Sequence, residues 1–353
     1  MTPTTDISQE QITIDELRDQ CVESYAIFCL YMQDDGYFDD VHKDLCQWTQ
    51  YHVEKAEKQV EDTGECLLEL AYIMPRGSLK STIVTKLFSA WIAVRRFYKF
   101  KDSSTRILIA GNTFNNAAAK MHGDLGGLFM TNTIFKQLFA DMLPQKGRDG
   151  NQWSKTGLEI NREGSFPENT FECAGTNTKL IGRHYNGIIE DDTTAPDVSD
   201  MEDGVTRPSQ EIIQQAIGFH QAATSLFIPK GFIFHIVVST RWACEDLIHY
   251  VQEREKFKFF SMPAMSADGR PNFTCFYTPE KLEKIKGKVG SYMFSMLYLN
   301  QPLDDSQRVF NPDNFRYTPA HMVPKAGYFT ICVDPAISQK DSACESSITV
   351  CQH

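Results

Sequence analysis

The residues best suited to chemistry fall in two short runs. The first is Met74-Pro75-Arg76-Gly77-Ser78-Leu79-Lys80-Ser81-Thr82, between an apolar stretch and a helical one. A loop entering a helix N-terminus aims unpaired backbone N–H groups at one point, where phosphate oxygens can accept them and the helix dipole favours negative charge. Lys80 would reach the β- and γ-phosphates of a nucleotide, and the Ser81 hydroxyl would hold Mg²⁺. The match to G-x-x-x-x-G-K-[ST] is imperfect: the glycine slots counted back from Lys80 hold Met74 and Leu79, and the glycine of the loop is Gly77. A lysine and serine in the first turn of a surface helix would give the same letters. Arg76 favours the phosphate reading, since a guanidinium in the loop can bind phosphate oxygens bidentately or sense the γ-phosphate.

The second run is Tyr185-Asn186-Gly187-Ile188-Ile189-Glu190-Asp191-Asp192, an apolar strand ending in acids. A phosphate loop needs such a strand to complete its magnesium site: Asp191 would bind Mg²⁺ through its water shell, and Asp192 would orient and deprotonate an attacking water. Glu190 is a third acid at a buried strand end. Three consecutive acids could equally be a solvated turn, so the reading rests on both half-motifs occurring in the right order.

The elements around these runs alternate. Strands are expected at Leu67–Met74, Arg106–Ala110, Gly187–Ile189 and Phe232–Ser239, with helices at Leu79–Tyr98 and Asn116–Phe129. That alternation predicts an α/β fold with a mostly parallel sheet flanked by helices, and places ligands at the carboxyl ends of the strands. From Gln9 to about Glu61 an amphipathic pattern predicts a helical lead-in, broken at Asp34-Asp35-Gly36, with Tyr25, Phe28 and Tyr31 in the core. Pro279–Gly290 reads as a basic helical segment, and two further strands, Tyr328–Val333 and Ser347–Cys351, follow.

Composition narrows the function. The 353 residues are 42% hydrophobic with a net charge of −11, so bulk attraction to nucleic acid is excluded and any contact with a polyanion must be local. Arg95, Arg96, Lys99 and Lys101 form the densest basic cluster, which a solvated helix end would also explain. No apolar run is long enough to span a bilayer, and the start MTPTTDISQE is polar where a signal peptide would be basic and then apolar, so no membrane association and a cytosolic location are expected. The 10 cysteines show neither a CxxC pair nor zinc-finger spacing, and are read as small buried apolar residues.

Five segments together resemble a known family. They are Pro75-Arg76-Gly77-Ser78-Leu79-Lys80-Ser81; Asn151-Gln152-Trp153-Ser154 leading into Leu158-Glu159-Ile160; Leu180-Ile181-Gly182-Arg183 before the acids; Ser239-Thr240-Arg241-Trp242 with Glu245-Asp246-Leu247; and Tyr298-Leu299-Asn300-Gln301-Pro302. The family is the large terminase subunit of tailed double-stranded DNA bacteriophages, the ATPase of the genome-packaging motor, in which a loop with arginine in place of the early glycine is habitual. The resemblance implies that Arg76, Gly77, Ser78, Leu79, Lys80, Ser81 and Thr82 form the phosphate loop for ATP, with Ser81 and Asp191 holding Mg²⁺ and Asp192 as the catalytic carboxylate. It implies that Ser239, Thr240 and Arg241 are a coupling motif that feels the γ-phosphate, although Thr240-Arg241-Trp242 alone would read as a strand end with an aromatic packed under an exposed arginine. His42 falls where relatives often carry an adenine-reading glutamine, and could be a surface residue. Arg183 is a candidate arginine finger toward a neighbouring subunit, or a plain salt bridge.

The resemblance further implies a ribonuclease-H-like nuclease domain using Mg²⁺ or Mn²⁺, with Val333-Asp334-Pro335-Ala336 as its first strand and Asp334 as its first metal ligand. One aspartate is too few for a two-metal site, so an incomplete nuclease domain without endonuclease activity is expected. The expected layout is a helical lead-in over 1–61, a P-loop ATPase core over 62–262, a linker or subdomain over 263–305 and the start of the nuclease domain over 306–353. Implied partners are double-stranded DNA, the portal protein, the small terminase subunit and further copies of the chain in a pentameric ring, in host cytoplasm during phage assembly. Two rival readings are a DNA helicase or translocase of another P-loop family, and a non-hydrolysing terminase-like scaffold.

Overall fold

The computed structural model describes residues 12–33, 36–143, 154, 157–180, 182–196, 208–301, 327–334 and 347–352. Gln9, the Asp34-Asp35 break, Asn151-Gln152-Trp153, Ile181, Pro302 and Pro335-Ala336 lie outside the described residues.

The lead-in comprises helices α1 (Ile14–Glu23), α2 (Tyr25–Met32) and α3 (Asp40–Thr63). Ser24 interrupts it, ending α1 and capping α2 through a side chain that accepts from the Ile27 amide. Gly64, at φ 84°, closes α3 in the left-handed conformation that a side chain would disfavour. Tyr25 and Phe28 are buried as expected; Tyr31 is exposed on the outer face of α2.

Strand β1 (Glu65–Ile73) then enters the candidate loop. The helix after it is not uniform: Ser81–Leu87 is wound as a π-helical turn before α4 (Phe88–Lys99). After β2 (Ile107–Gly111), α5 (Phe114–Ala118) passes through a second π-helical turn at Ala119–Leu125 into α6 (Gly126–Thr131), followed by α7 (Thr133–Leu138). Next come β3 (Gly157–Leu158), β4 (Phe171–Gly175), β5 (Gly187–Asp191), α8 (Gln210–Ala223), β6 (Gly231–Ser239), α9 (Leu247–Arg254), β7 (Lys258–Ser261) and α10 (Pro279–Leu299). Segment 279–290 therefore continues as helix to Leu299, through a break at Gly290 with φ 80°. The last two strands, β8 (Phe329–Asp334) and β9 (Ser347–Gln352), pair antiparallel and carry exposed Phe329, Ile331, Ile348 and Val350.

Seven strands form one sheet in the order β3-β4-β2-β5-β6-β1-β7, parallel throughout except for β3 against β4. Strand residues alternate between two apolar layers. Leu70, Tyr72, Ile107, Ile109, Ile189 and Phe234 pack with Tyr25, Phe88 and Trp91 from α2 and α4 on one face. Ala71, Ile73 and Val237 pack with Leu247, Ile248 and Val251 of α9, while Leu108, Ala110 and Ile188 pack with Phe219 and Ala223 of α8 on the other. The fold is thus a mostly parallel sheet covered by helices on both sides. No helix among the described residues is long and apolar enough to cross a membrane.

Two composition-based readings change. The basic cluster is largely neutralised: Arg95 is buried and paired with Glu57 at 2.8 Å, Arg96 pairs with Asp102 at 2.7 Å, and Lys99 pairs with Glu23 at 2.6 Å. These cations staple α4 to the lead-in helices and to the turn after it. Of the cysteines, Cys21, Cys29, Cys46, Cys66 and Cys173 are buried, whereas Cys244, Cys275, Cys332 and Cys351 are exposed.

Candidate active site

Strand order places the two sequence runs. β6 lies between β1 and β5, so the loop leaving β1, the acids ending β5 and Ser239-Thr240 ending β6 meet at the same edge of the sheet. Two loop residues take positive φ: Gly77 at 74°, and Leu79 at 61°, the position immediately before Lys80 that the general motif gives to glycine. Leucine in that region costs roughly 1–2 kcal/mol of backbone strain, held by the surrounding packing.

The loop is braced from both sides. His42 Nδ1 accepts from the Asp39 amide at 2.9 Å, and its Nε2 donates to the Ser78 carbonyl at 3.0 Å. His42 is fully buried among Phe38, Phe273 and Phe276, which excludes the surface placement; burial holds its pKa below the ordinary histidine value against the pull of Ser78 and Asp39. From the opposite side the Tyr277 hydroxyl donates to the Arg76 carbonyl. Ser78 is buried, with its hydroxyl donating to the Pro75 carbonyl at 2.8 Å. The exposed Arg76 guanidinium lies over the Trp242 ring, 5.2 Å from its centroid, tying loop to the segment after β6. Thr82 is half-buried in the first helical turn.

Lys80 and Ser81 contact different acids. Lys80 Nζ is 3.0 Å from Asp192 Oδ2, and Ser81 Oγ donates to Asp191 Oδ1 at 3.0 Å. Thr85, one turn beyond Ser81, donates to Asp191 Oδ2 at 2.7 Å. Lys120, from the second π-helical turn, reaches the Asp191 carboxylate at 3.0 Å and its carbonyl at 2.9 Å. Asp192 sits just past β5 at φ 53° and accepts from the Thr240 amide at 3.1 Å. Burial works against its ionisation, but the charges of Lys80 and Lys120 and the hydrogen bonds from Lys80 and Thr240 outweigh it and hold its pKa below the usual carboxylate value. A serine hydroxyl beside a buried carboxylate is a hard-oxygen donor set of the kind Mg²⁺ takes.

Other expected residues are placed elsewhere. Arg241 is buried and turned away from Asp191 and Asp192: Nε contacts Asp246 Oδ2 at 3.0 Å, and Nη2 donates to the Ala243 and Cys244 carbonyls. The arginine over Trp242 is Arg76, so the picture of an exposed Arg241 on that ring is replaced. Thr240, by contrast, spans the site, its hydroxyl donating to the Met74 carbonyl at 3.3 Å. Arg183 bonds Glu172 at 2.8 Å and the Pro167 carbonyl at 3.1 Å. Glu172 lies level with Leu108 and Ile188, about 10 Å of strand rise before Asp191, so Arg183 belongs to the opposite edge of the sheet from Lys80. Asp334 ends β8, opposite Ser347.

Sequence reading missed three residues around the loop. Thr85 had a signal, since it is four positions after Ser81 and so on the same helix face. Lys120 and Tyr277 had none, because each arrives from a distant segment.

No protein-family model and no curated protein matches the chain. Its structure is similar to the crystal structure of the HK97 bacteriophage large terminase, with TM-score 0.41 and 15% sequence identity over 67% of this chain and 47% of that one. The chain therefore spans about half the length of that terminase. A likeness this distant assigns no residue and no activity.

Proposed function

We propose that the chain is a magnesium-dependent ATPase, and that it serves as the motor subunit that drives double-stranded DNA into a viral procapsid. The observation that carries the ATPase reading is the pair of contacts from adjacent residues to adjacent acids, Lys80 to Asp192 and Ser81 to Asp191. Backbone N–H groups of the loop from Gly77 to Lys80 would cradle the phosphates, with Lys80 moving from Asp192 to the β- and γ-oxygens. Ser81 and Asp191 would hold Mg²⁺, which when bound neutralises phosphate charge. Asp192, fixed by the Thr240 amide, would align a water on the γ-phosphorus and take its proton as the bond to the β-phosphate oxygen breaks, giving ADP and phosphate.

The motor reading rests on the sequence motifs shared with large terminases, and with it come DNA, a portal protein, a small terminase subunit, a pentameric ring and host cytoplasm. Arg183 acts in this reading only toward a neighbouring copy, because its own site lies at the other edge of the sheet. Purified chain should turn over ATP only with Mg²⁺, faster with DNA or procapsid, and Lys80→Ala should lose it. Equal turnover in Lys80→Ala would end the ATPase reading; turnover indifferent to DNA and procapsid would end the motor reading.

A further inference from the structure

Glu190 is next to Asp191 in β5 and therefore points to the other face of the sheet. There it meets two histidines. His220 Nδ1 of α8 is 2.6 Å from Glu190 Oε1, and His235 Nε2 of β6 is 2.7 Å from the same oxygen. All three side chains are buried, their rings stack with centroids 4.6 Å apart, and the three donor atoms lie within 4.8 Å of one another. The outer nitrogen of His220, Nε2, contacts Glu255 Oε2 at 2.9 Å. Glu69, level with His235 on β1, is half-buried beside them.

Hydrogen bonding alone leaves this cluster incomplete. A carboxylate can only accept, so Glu255 fixes His220 as the Nε2–H tautomer. The Nδ1 lone pair of neutral His220 then faces a carboxylate oxygen, and the contact needs a cation between them. A proton there would serve one oxygen of Glu190, while Glu190 Oε2 is buried with no partner among the described residues. It would also leave Glu190 and Glu255 sharing a single positive charge in a buried setting.

We propose that Glu190, His220 and His235 form a structural site for a divalent transition-metal ion of the zinc type. Nδ1 of His220, Nε2 of His235 and both oxygens of Glu190 supply four donors, so the orphaned Oε2 gains a partner. The dication balances Glu190 and Glu255, and the His220–Glu255 contact is the carboxylate–histidine–metal arrangement that orients a ligating imidazole. Two imidazoles select zinc-like ions over Mg²⁺. Bonds of about 2.0–2.2 Å would hold each imidazole nitrogen roughly 3–3.5 Å from the nearer carboxylate oxygen, in a distorted four-coordinate site whose two carboxylate oxygens lie closer together than the other donors, so the nitrogens must open from Glu190 by under an ångström or so. Such an ion would join β5, β6 and α8 directly behind the strand end that carries Asp191 and Asp192, and it goes beyond the ATPase reading without depending on it.

The test is metal content of the whole chain expressed with Zn²⁺ and dialysed against excess Mg²⁺, which occupies hard-oxygen sites. About one zinc per chain should remain, and the Co²⁺-exchanged protein should show the intense visible bands of four-coordinate nitrogen–oxygen ligation. Zinc should raise the melting temperature by several degrees, and His235→Gln should abolish both metal retention and the cobalt bands. Chain without retained zinc, a weak six-coordinate cobalt spectrum, or full retention in folded His235→Gln would overturn the proposal and leave a proton-bridged triad. The cobalt spectrum of the unaltered chain decides even if His235→Gln does not fold. None of these readouts depends on ATP turnover.

Discussion

The ammonium of Lys80 lies 3.0 Å from the carboxylate of Asp192, so the two groups that the proposed hydrolysis uses most directly hold each other. Binding a nucleotide must exchange that ion pair for Lys80–phosphate contacts. Asp192→Asn removes the competing charge while leaving the loop intact. We expect nucleotide affinity equal to or tighter than that of the unaltered chain, with turnover lower by about 10²-fold or more, since the proton acceptor is lost. Fluorescent-nucleotide titration beside a steady-state ATPase assay measures both; wild-type turnover in Asp192→Asn would move the base to another residue.

Leu79 occupies the left-handed region at φ 61° while its side chain packs partly into the core. In Leu79→Gly the released strain of roughly 1–2 kcal/mol offsets the lost burial of a similar size, so stability should change by less than about 1 kcal/mol. Leu79→Ile keeps the volume but puts a branched carbon at positive φ, and should be the less stable of the two. Urea denaturation of both variants checks the order.

Arg241 donates to Asp246 inside the protein, and Asp246 also accepts from the His249 amide at 3.1 Å to cap α9. Arg241→Ala leaves a buried carboxylate without its partner, which costs about 3–5 kcal/mol. The melting temperature should fall, with turnover per folded molecule within about threefold of wild type. A loss of turnover at unchanged melting temperature would instead give Arg241 a direct part in sensing phosphate.

His42 predicts an acid-side loss of stability. Its folded pKa is depressed, chiefly by burial, with Ser78 and Asp39 opposing. As pH falls through the ordinary histidine value near 6.5, the unfolded chain takes up a proton that the folded chain resists, so stability decreases below about pH 7 until the folded value is passed. His42→Gln removes this titration and should flatten the profile between about pH 7 and 5, measured by chemical denaturation at stepped pH.

Much of the architecture was legible in the chain itself. Apolar runs such as Leu67–Met74 and Phe232–Ser239 are long enough to name buried strands, and they fall on β1 and β6, because a strand buried on both faces needs continuous apolar sequence. The short β4 and β7 carry polar or mixed letters and were not visible in that way, since their membership in the sheet depends on neighbours rather than on pattern. Lys80, Ser81, Asp191 and Asp192 could be singled out because residue type and local order suffice to raise the chemistry. Strand order could not be read: only the insertion of β6 between β1 and β5 brings Thr240 against Asp192 and turns Glu190 toward His220 and His235. The physical reason is range. Helix caps, strand alternation and loop conformation depend on residues a few positions apart, whereas Lys120 on Asp191, Tyr277 on the Arg76 carbonyl and the inward turn of Arg241 depend on which surfaces pack together, and that is decided only when the whole sheet has formed.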